Sequence, residues 1–166
     1  MRACWRIKPY TVKILLAQLR KYFYYNFGIS YEEDQKLKEG KIPFFINPAK
    51  ALKIVQMEGL ETIILSGLHG EKMMMVLNVT SPGFTVPLHS HPHEQIGMVY
   101  AGKAKLRIGD EERIVEQGDF YCIPAEVPHS DTAMGNEPFI MLDIFYPVRE
   151  DFVEKAKRAA KNVEKH

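Results

Sequence analysis

The chain has 166 residues, enough for one domain with a full core and some appended structure. Apolar residues make up 46% and charged residues 26%, as in an ordinary soluble globular protein, and the net charge of +1 gives no reason to expect a nucleic-acid partner. Two cysteines, Cys4 and Cys122, make no disulfide framework, and the longest apolar run near the start, Ile14 to Ala17, is too short to span a membrane or to serve as a signal-peptide core. The expected setting is the cytoplasm.

Tyr10 to Phe27 reads as a helix, because Val12, Leu15, Leu16, Leu19 and Phe23 recur at helical spacing and Gly28 follows as a C-terminal stop. Ser30 and Glu33 form a capping box for a second helix, Tyr31 to Glu39, closed by Gly40. Residues 1–41 are thus expected to be a helical arm. Its first 31 residues carry Arg2, Arg6, Lys8, Lys13, Arg20 and Lys21 with no acid, which leaves the rest of the chain at about −5. The expected role is packing on its own domain or on a partner subunit. A membrane-surface helix, a transit segment and a start placed too early are the alternatives.

From residue 42 to 148, glycines and prolines cut the chain into short β-type runs: Thr62–Leu65, Met73–Thr80, Met98–Tyr100, Lys103–Ile108, Arg113–Val115, Phe120–Ile123 and Phe139–Phe145. Gly97 is among those breaks. Lys103–Ile108 and Arg113–Val115 form a hairpin that turns at Gly109-Asp110. Evenly spaced short strands of this kind predict an all-β barrel or sandwich. Met73-Met74-Met75 is expected to fill core, Cys122 to be a small buried hydrophobe, and His69 to be a loop residue. Residues 149–166 return to a helix, capped by Asp151, with Phe152, Ala156, Ala159 and Val163 on one stripe and Glu154–Arg158 as an i,i+4 pair.

The chemistry concentrates between Gly83 and Gly102. His89 and His91 alternate, so on a strand both imidazoles leave one face. His93 and Gln95 share that parity, whereas Glu94 points away unless a bulge intervenes. Two same-face imidazoles with an oxygen donor four residues on suit a transition metal. A solvated polar face is the bland alternative. It loses ground to a second stretch far downstream, Gly118 to His129, which brings another histidine.

Together the two stretches resemble the paired motifs of the cupins. Gly83, His89, His91, Gln95 and Gly102 keep every spacing of the first motif, and Gly118, Pro124 and His129 match the second. Glu126 stands where the family has a glycine, Ala133 where it has an asparagine, and Gln95 where most members have a glutamate. The resemblance implies a double-stranded β-helix, the jelly-roll cupin barrel, with the helical arm before it and the last helix after it. It implies one divalent transition metal (nickel, manganese, iron, zinc or copper) on His89, His91, Gln95 and His129, with Glu94 as the competitor for the fourth place.

The run Leu142 to Phe152 is similar to a cupin subgroup that includes the enzyme linearising unsaturated uronates in pectin and alginate breakdown. That resemblance implies Asp143 as acid/base, Arg149 as the grip on a substrate carboxylate and Phe145 as a pocket-shaping ring. The structural alternatives are a buried hydrogen-bonding acid for Asp143, and a salt bridge to Glu150 or Asp151, or a helix cap, for Arg149. The implied function is isomerisation or ring opening of a small anionic sugar acid. A metal-dependent dioxygenase or lyase would use the same ligands, and a non-catalytic binder the same pocket. A homodimer is expected, since Met73–Thr80 offers apolar residues on an open sheet.

Overall fold

A computed structural model describes residues 45–163, with side chains up to residue 159. Cys4 and the expected helices at Tyr10–Phe27 and Tyr31–Glu39 lie outside the described residues. A single 3₁₀ turn at Pro48–Lys50 leads into ten strands: β1 (Leu52–Met57), β2 (Leu60–Ser66), β3 (Met74–Thr80), β4 (Thr85–His89), β5 (Glu94–Ala101), β6 (Lys103–Ile108), β7 (Glu111–Glu116), β8 (Phe120–Ile123), β9 (His129–Met134) and β10 (Phe139–Tyr146). Helix α1 (Glu150–Val163) follows. No helix among the described residues is long and apolar enough to cross a membrane.

The strands make two antiparallel sheets, one ordered β1-β2-β3-β10-β5-β8 and the other β4-β9-β6-β7. This is a double-stranded β-helix core. Among the described residues no ladder joins the two sheets, so the expected barrel is an open pair of facing sheets. The β6–β7 hairpin turns at Gly109-Asp110 as expected, with Ile108 opposite Glu111 and Gly109 at a φ of 58°.

Inward-facing residues alternate cleanly on the central strands. On β10, Phe139, Met141, Asp143 and Phe145 are buried, Ile140, Leu142 and Ile144 are partly so, and Tyr146 is exposed. Phe139 and Met141 join Val99, Leu106, Tyr121, Ile123 and Ala133 in one apolar cluster. Phe145 joins Ile54, Ile64, Met74 and Val76 in a second, closed over by Phe152 and Ala156 of α1. Asp143 therefore sits in a polar layer between two apolar clusters. On β3 the inward positions show the same division, with Met74 and Val76 in the helix-side cluster and Asn78 and Thr80 beyond it.

Four expectations need correction. Cys122 is exposed, because inward parity on β8 belongs to Tyr121 and Ile123. Of the methionine triplet only Met74 is fully buried, and Met73 is 51% exposed ahead of β3. Helix α1 begins at Glu150, with the Arg149 carbonyl accepting from Phe152 and Val153 N–H, so Asp151 lies in the first turn and is not the cap. Gly97 breaks nothing, since β5 runs through it. A Cβ there would overlap the Tyr121 ring, which lies across the strand on that bare spot.

Candidate metal centre and pocket

The histidines do not share one strand. His89 ends β4 in the smaller sheet, His91 lies in the crossing to β5, and Gln95 is the second residue of β5 in the larger sheet. The crossover between sheets, more than strand parity, brings them together. His129 opens β9 directly opposite His89 in the β4–β9 ladder, with ring centroids 4.2 Å apart. His91 packs edge-on to His129 at 4.9 Å.

Backbone carbonyls fix all three rings. Nδ1 of His89 faces the Pro87 carbonyl at 2.8 Å, Nδ1 of His91 that of His93 at 3.0 Å, and Nδ1 of His129 that of Val127 at 2.9 Å. A carbonyl only accepts, so each Nδ1 carries the proton and each Nε2 keeps its lone pair. The three ligand nitrogens lie within 4.8 Å of one another. They form a cluster able to hold one divalent transition metal. Burial above all drives the His129 pKa down to about 4, and burial, followed by the Arg149 cation, lowers that of His91. Both are thus neutral, as ligation demands.

One tight turn ties the two histidine stretches together. Val127 N–H donates to the Pro124 carbonyl at 3.2 Å, and Glu126 N–H donates to the His91 carbonyl at 2.9 Å. Glu126 has a φ of 64°, the left-handed value that the i+2 position of a type II turn requires. The position that resembles a family glycine thus keeps glycine's conformation without the glycine.

Gln95 faces the histidines and Glu94 does not. Gln95 is buried, whereas Glu94 is exposed on the opposite face of β5. The Gln95 amide donates through Nε2 to Asp143 Oδ1 at 2.7 Å, which turns Oε1 toward His91 Nε2 at 3.2 Å. Two lone-pair atoms at that distance repel unless a cation lies between or beside them. The donor set therefore fits a metal ion on chemical grounds.

Behind Gln95, hydrogen bonds converge on Asp143, which is wholly buried. Its Oδ1 also accepts from the Tyr121 hydroxyl at 2.5 Å, and its Oδ2 accepts from Asn78 Nδ2 at 2.7 Å. Asn78 Oδ1 in turn accepts from Thr62 Oγ1 at 2.6 Å, Thr62 Oγ1 from Gln56 Nε2 at 3.3 Å, and Gln56 Oε1 from Lys155 Nζ. Every donor points inward. Burial raises the Asp143 pKa, and the Tyr121, Gln95 and Asn78 hydrogen bonds oppose the rise.

The pocket in front of this layer is lined by the three histidines, Gln95, Tyr121, Asn78, Phe145, Arg149 and Asp131. Arg149 is held on two sides. Its Nε and Nη2 donate to Asp151 at 2.9 and 2.8 Å, and its guanidinium lies over Phe152 at 4.3 Å and Phe145 at 5.2 Å. Tyr121, Asn78 and Asp131 escaped the sequence reading. Asn78 is a polar residue at an inward position of an apolar strand, and Asp131 shares His129's parity on β9; both signals were available. Asp131 is buried, and burial, then the Asp143 charge, pushes its pKa up to about 7.

This assembly is a metal-binding double-stranded β-helix. The cupin-domain family profile matches residues 76–145. The pectin degradation protein KdgF of Dickeya dadantii (strain 3937) is 32% identical over 84 residues, covering 50% of this chain and 76% of that protein. Among solved structures, an RmlC-like cupin from Shewanella frigidimarina NCIMB 400 is 24% identical with a TM-score of 0.61, covering 67% of this chain and 96% of its own. KdgF from Halomonas sp. is 24% identical with a TM-score of 0.59, covering 66% and 98%. At that identity the two structures speak for the fold. The chain belongs to the cupin superfamily, and among curated proteins it is similar to KdgF.

Proposed function

We propose that this protein is a metal-dependent enzyme acting on a small carboxylated molecule, and that its substrate is an unsaturated uronate whose ring it isomerises or opens. The observation that carries the proposal is the meeting of the imidazole triad, Gln95 and Arg149 in one pocket. Similarity to a pectin degradation protein supports the substrate class.

His89, His91, His129 and Gln95 would hold the ion. With four neutral ligands a divalent metal keeps its full charge and acts as a Lewis acid toward a substrate carbonyl or hydroxyl. Arg149 binds the substrate carboxylate. Its Nη1 is not engaged with Asp151, so the salt bridge orients the guanidinium without exhausting its donors. Phe145 forms the wall beside His91, with ring centroids 5.5 Å apart. Asp143 serves as acid/base from behind. The Tyr121 hydroxyl, which lines the pocket, passes its proton to Asp143 Oδ1 as it takes one from the substrate.

Asp143→Asn should stop conversion while the histidine ligands still retain metal, and Arg149→Ala should mainly raise the substrate concentration required. Full activity in Asp143→Asn would remove the acid/base role. Oxygen uptake coupled to turnover would move the assignment to the dioxygenases.

The active unit in this reading is a homodimer. Ile96, Tyr100, Phe120 and Tyr146 are exposed on the outer side of the larger sheet, beside Ile144, Leu142 and Met98. An apolar face of this kind is covered by a second copy more readily than by water. Light scattering at micromolar concentration should report twice the chain mass; a monomer would contradict it.

A further inference from the structure

Asp131 has no role in holding the fold that its surroundings explain. It lies on β9 between Val86 of β4 and Leu106 of β6, its register partners on either side, and both are buried and apolar. Its one hydrogen bond is long: Thr80 Oγ1 donates to Oδ1 at 3.5 Å. Oδ2 has no protein partner among the described residues, yet it is not one of the sealed, unpartnered polar atoms, which are Glu71 Oε1 and His93 Nδ1. The side chain lines the metal pocket, so the open oxygen faces ligand space.

A buried carboxyl with so little compensation costs stability, and an apolar residue would satisfy Val86 and Leu106 better. Asp131 also comes from the smaller sheet, whereas Gln95, Tyr121 and Asp143 belong to the larger one. A molecule bound at the histidines is thus contacted by a second acidic group from the other wall.

We propose that Asp131 is a specificity-determining residue that accepts a hydrogen bond from a substrate hydroxyl, so that the pocket selects polyhydroxylated carboxylates over plain ones. The proposal rests on the functional reading above and deepens it. Arg149 takes the carboxylate common to all candidates. Asp131 takes a ring hydroxyl that only a sugar acid offers. A carboxyl oxygen accepts in either protonation state, so the selection does not depend on the charge of Asp131. Rejection of a ligand that lacks the hydroxyl follows from leaving a buried polar group unpaired.

Two probes separate the roles: D-galacturonate, and tetrahydropyran-2-carboxylate, which keeps the ring and carboxylate but lacks the hydroxyls. Both would be titrated calorimetrically into the metal-loaded full chain. The wild type should bind galacturonate about tenfold tighter, the scale of leaving one buried acceptor unpaired. Asp131→Ala should erase that preference and leave tetrahydropyran-2-carboxylate binding within about twofold. Asp131→Leu, which suits the apolar neighbours, should do the same, so a folding defect in the alanine variant cannot hide the answer. Arg149→Ala should weaken both probes alike. Equal loss of both probes in the Asp131 variants, or an intact preference, overturns the proposal while the functional reading stands. Failure of the wild type to bind either probe overturns both.

Discussion

Gly97→Ala tests how the fold builds the site. Tyr121 on β8, Gly97 on β5 and Asp143 on β10 are successive partners across three neighbouring strands. Because Gly97 has no side chain, the Tyr121 ring can lie over β5 and reach the Asp143 carboxylate on the far side. An alanine Cβ would overlap Cζ, Oη and Cε2 of that ring, an overlap that only displacement of the buried ring can relieve. Overpacking of this kind costs about 1–3 kcal/mol. Losing the tyrosine's hydrogen bond to a charged, buried acceptor costs about 1.5–3 kcal/mol more. The sum, roughly 2.5–6 kcal/mol, is a large share of a typical domain's ~5–15 kcal/mol. At about 2–4 °C per kcal/mol it lowers the melting temperature by ~5–25 °C. Urea unfolding followed by tryptophan-independent far-UV dichroism measures it. Tyr121→Phe, which removes only the hydroxyl, should cost about 1.5–3 kcal/mol. Adding Tyr121→Ala to Gly97→Ala should cost less than the two single effects summed, because the overlap is already relieved. Gly97→Ala within about 0.5 kcal/mol of wild type would refute the row's geometry.

His129→Ala or His91→Ala should remove most bound metal, read by elemental analysis after dialysis, and Gln95→Glu should keep the fold but change metal preference because it adds a charged ligand. Asp131 has a folded pKa of about 7, above its ordinary 3.8, so its ionisation costs the fold stability: the cost is absent below pH 3.8 and complete once pH has risen through 7. Asp131→Asn should therefore stabilise chelator-treated protein more at pH 8 than at pH 5; the reverse order in urea unfolding would contradict this. Glu126→Gly should stabilise by up to about 1 kcal/mol, since only the left-handed strain is removed, and a loss of more than that would show a side-chain role.

The site was more legible than the scaffold around it. His89, His91, Gln95 and His129 could be read because spacing survives in sequence even where, as here, the chain crosses between sheets in the middle of the motif. Strand β9 was missed because its inward residues are His129, Asp131 and Ala133, so the face that normally shows alternating hydrophobics is largely polar instead. Strand β1 escaped because it is an edge strand with only Ile54 buried. Gly97 looked like a break because nothing in its neighbourhood announces a tyrosine 24 residues downstream that covers it. The layer behind Gln95 is a matter of long-range contact, with Asn78 and Asp143 separated by 65 residues, and no local pattern encodes it. Arg149 had two readings, and the geometry holds features of both: it pairs with Asp151 and it lines the pocket.

In the proposed function the histidine cluster is the working part of an enzyme for sugar acids. Its most direct test follows an unsaturated galacturonate by proton NMR with three samples: metal-loaded protein, protein stripped by chelator, and stripped protein given back one equivalent of divalent metal. Loss of the ring vinyl signal in the first and third samples, but only at the uncatalysed rate in the second, is the result expected. Equal conversion in all three samples, or none with the metal-loaded protein, would contradict the account.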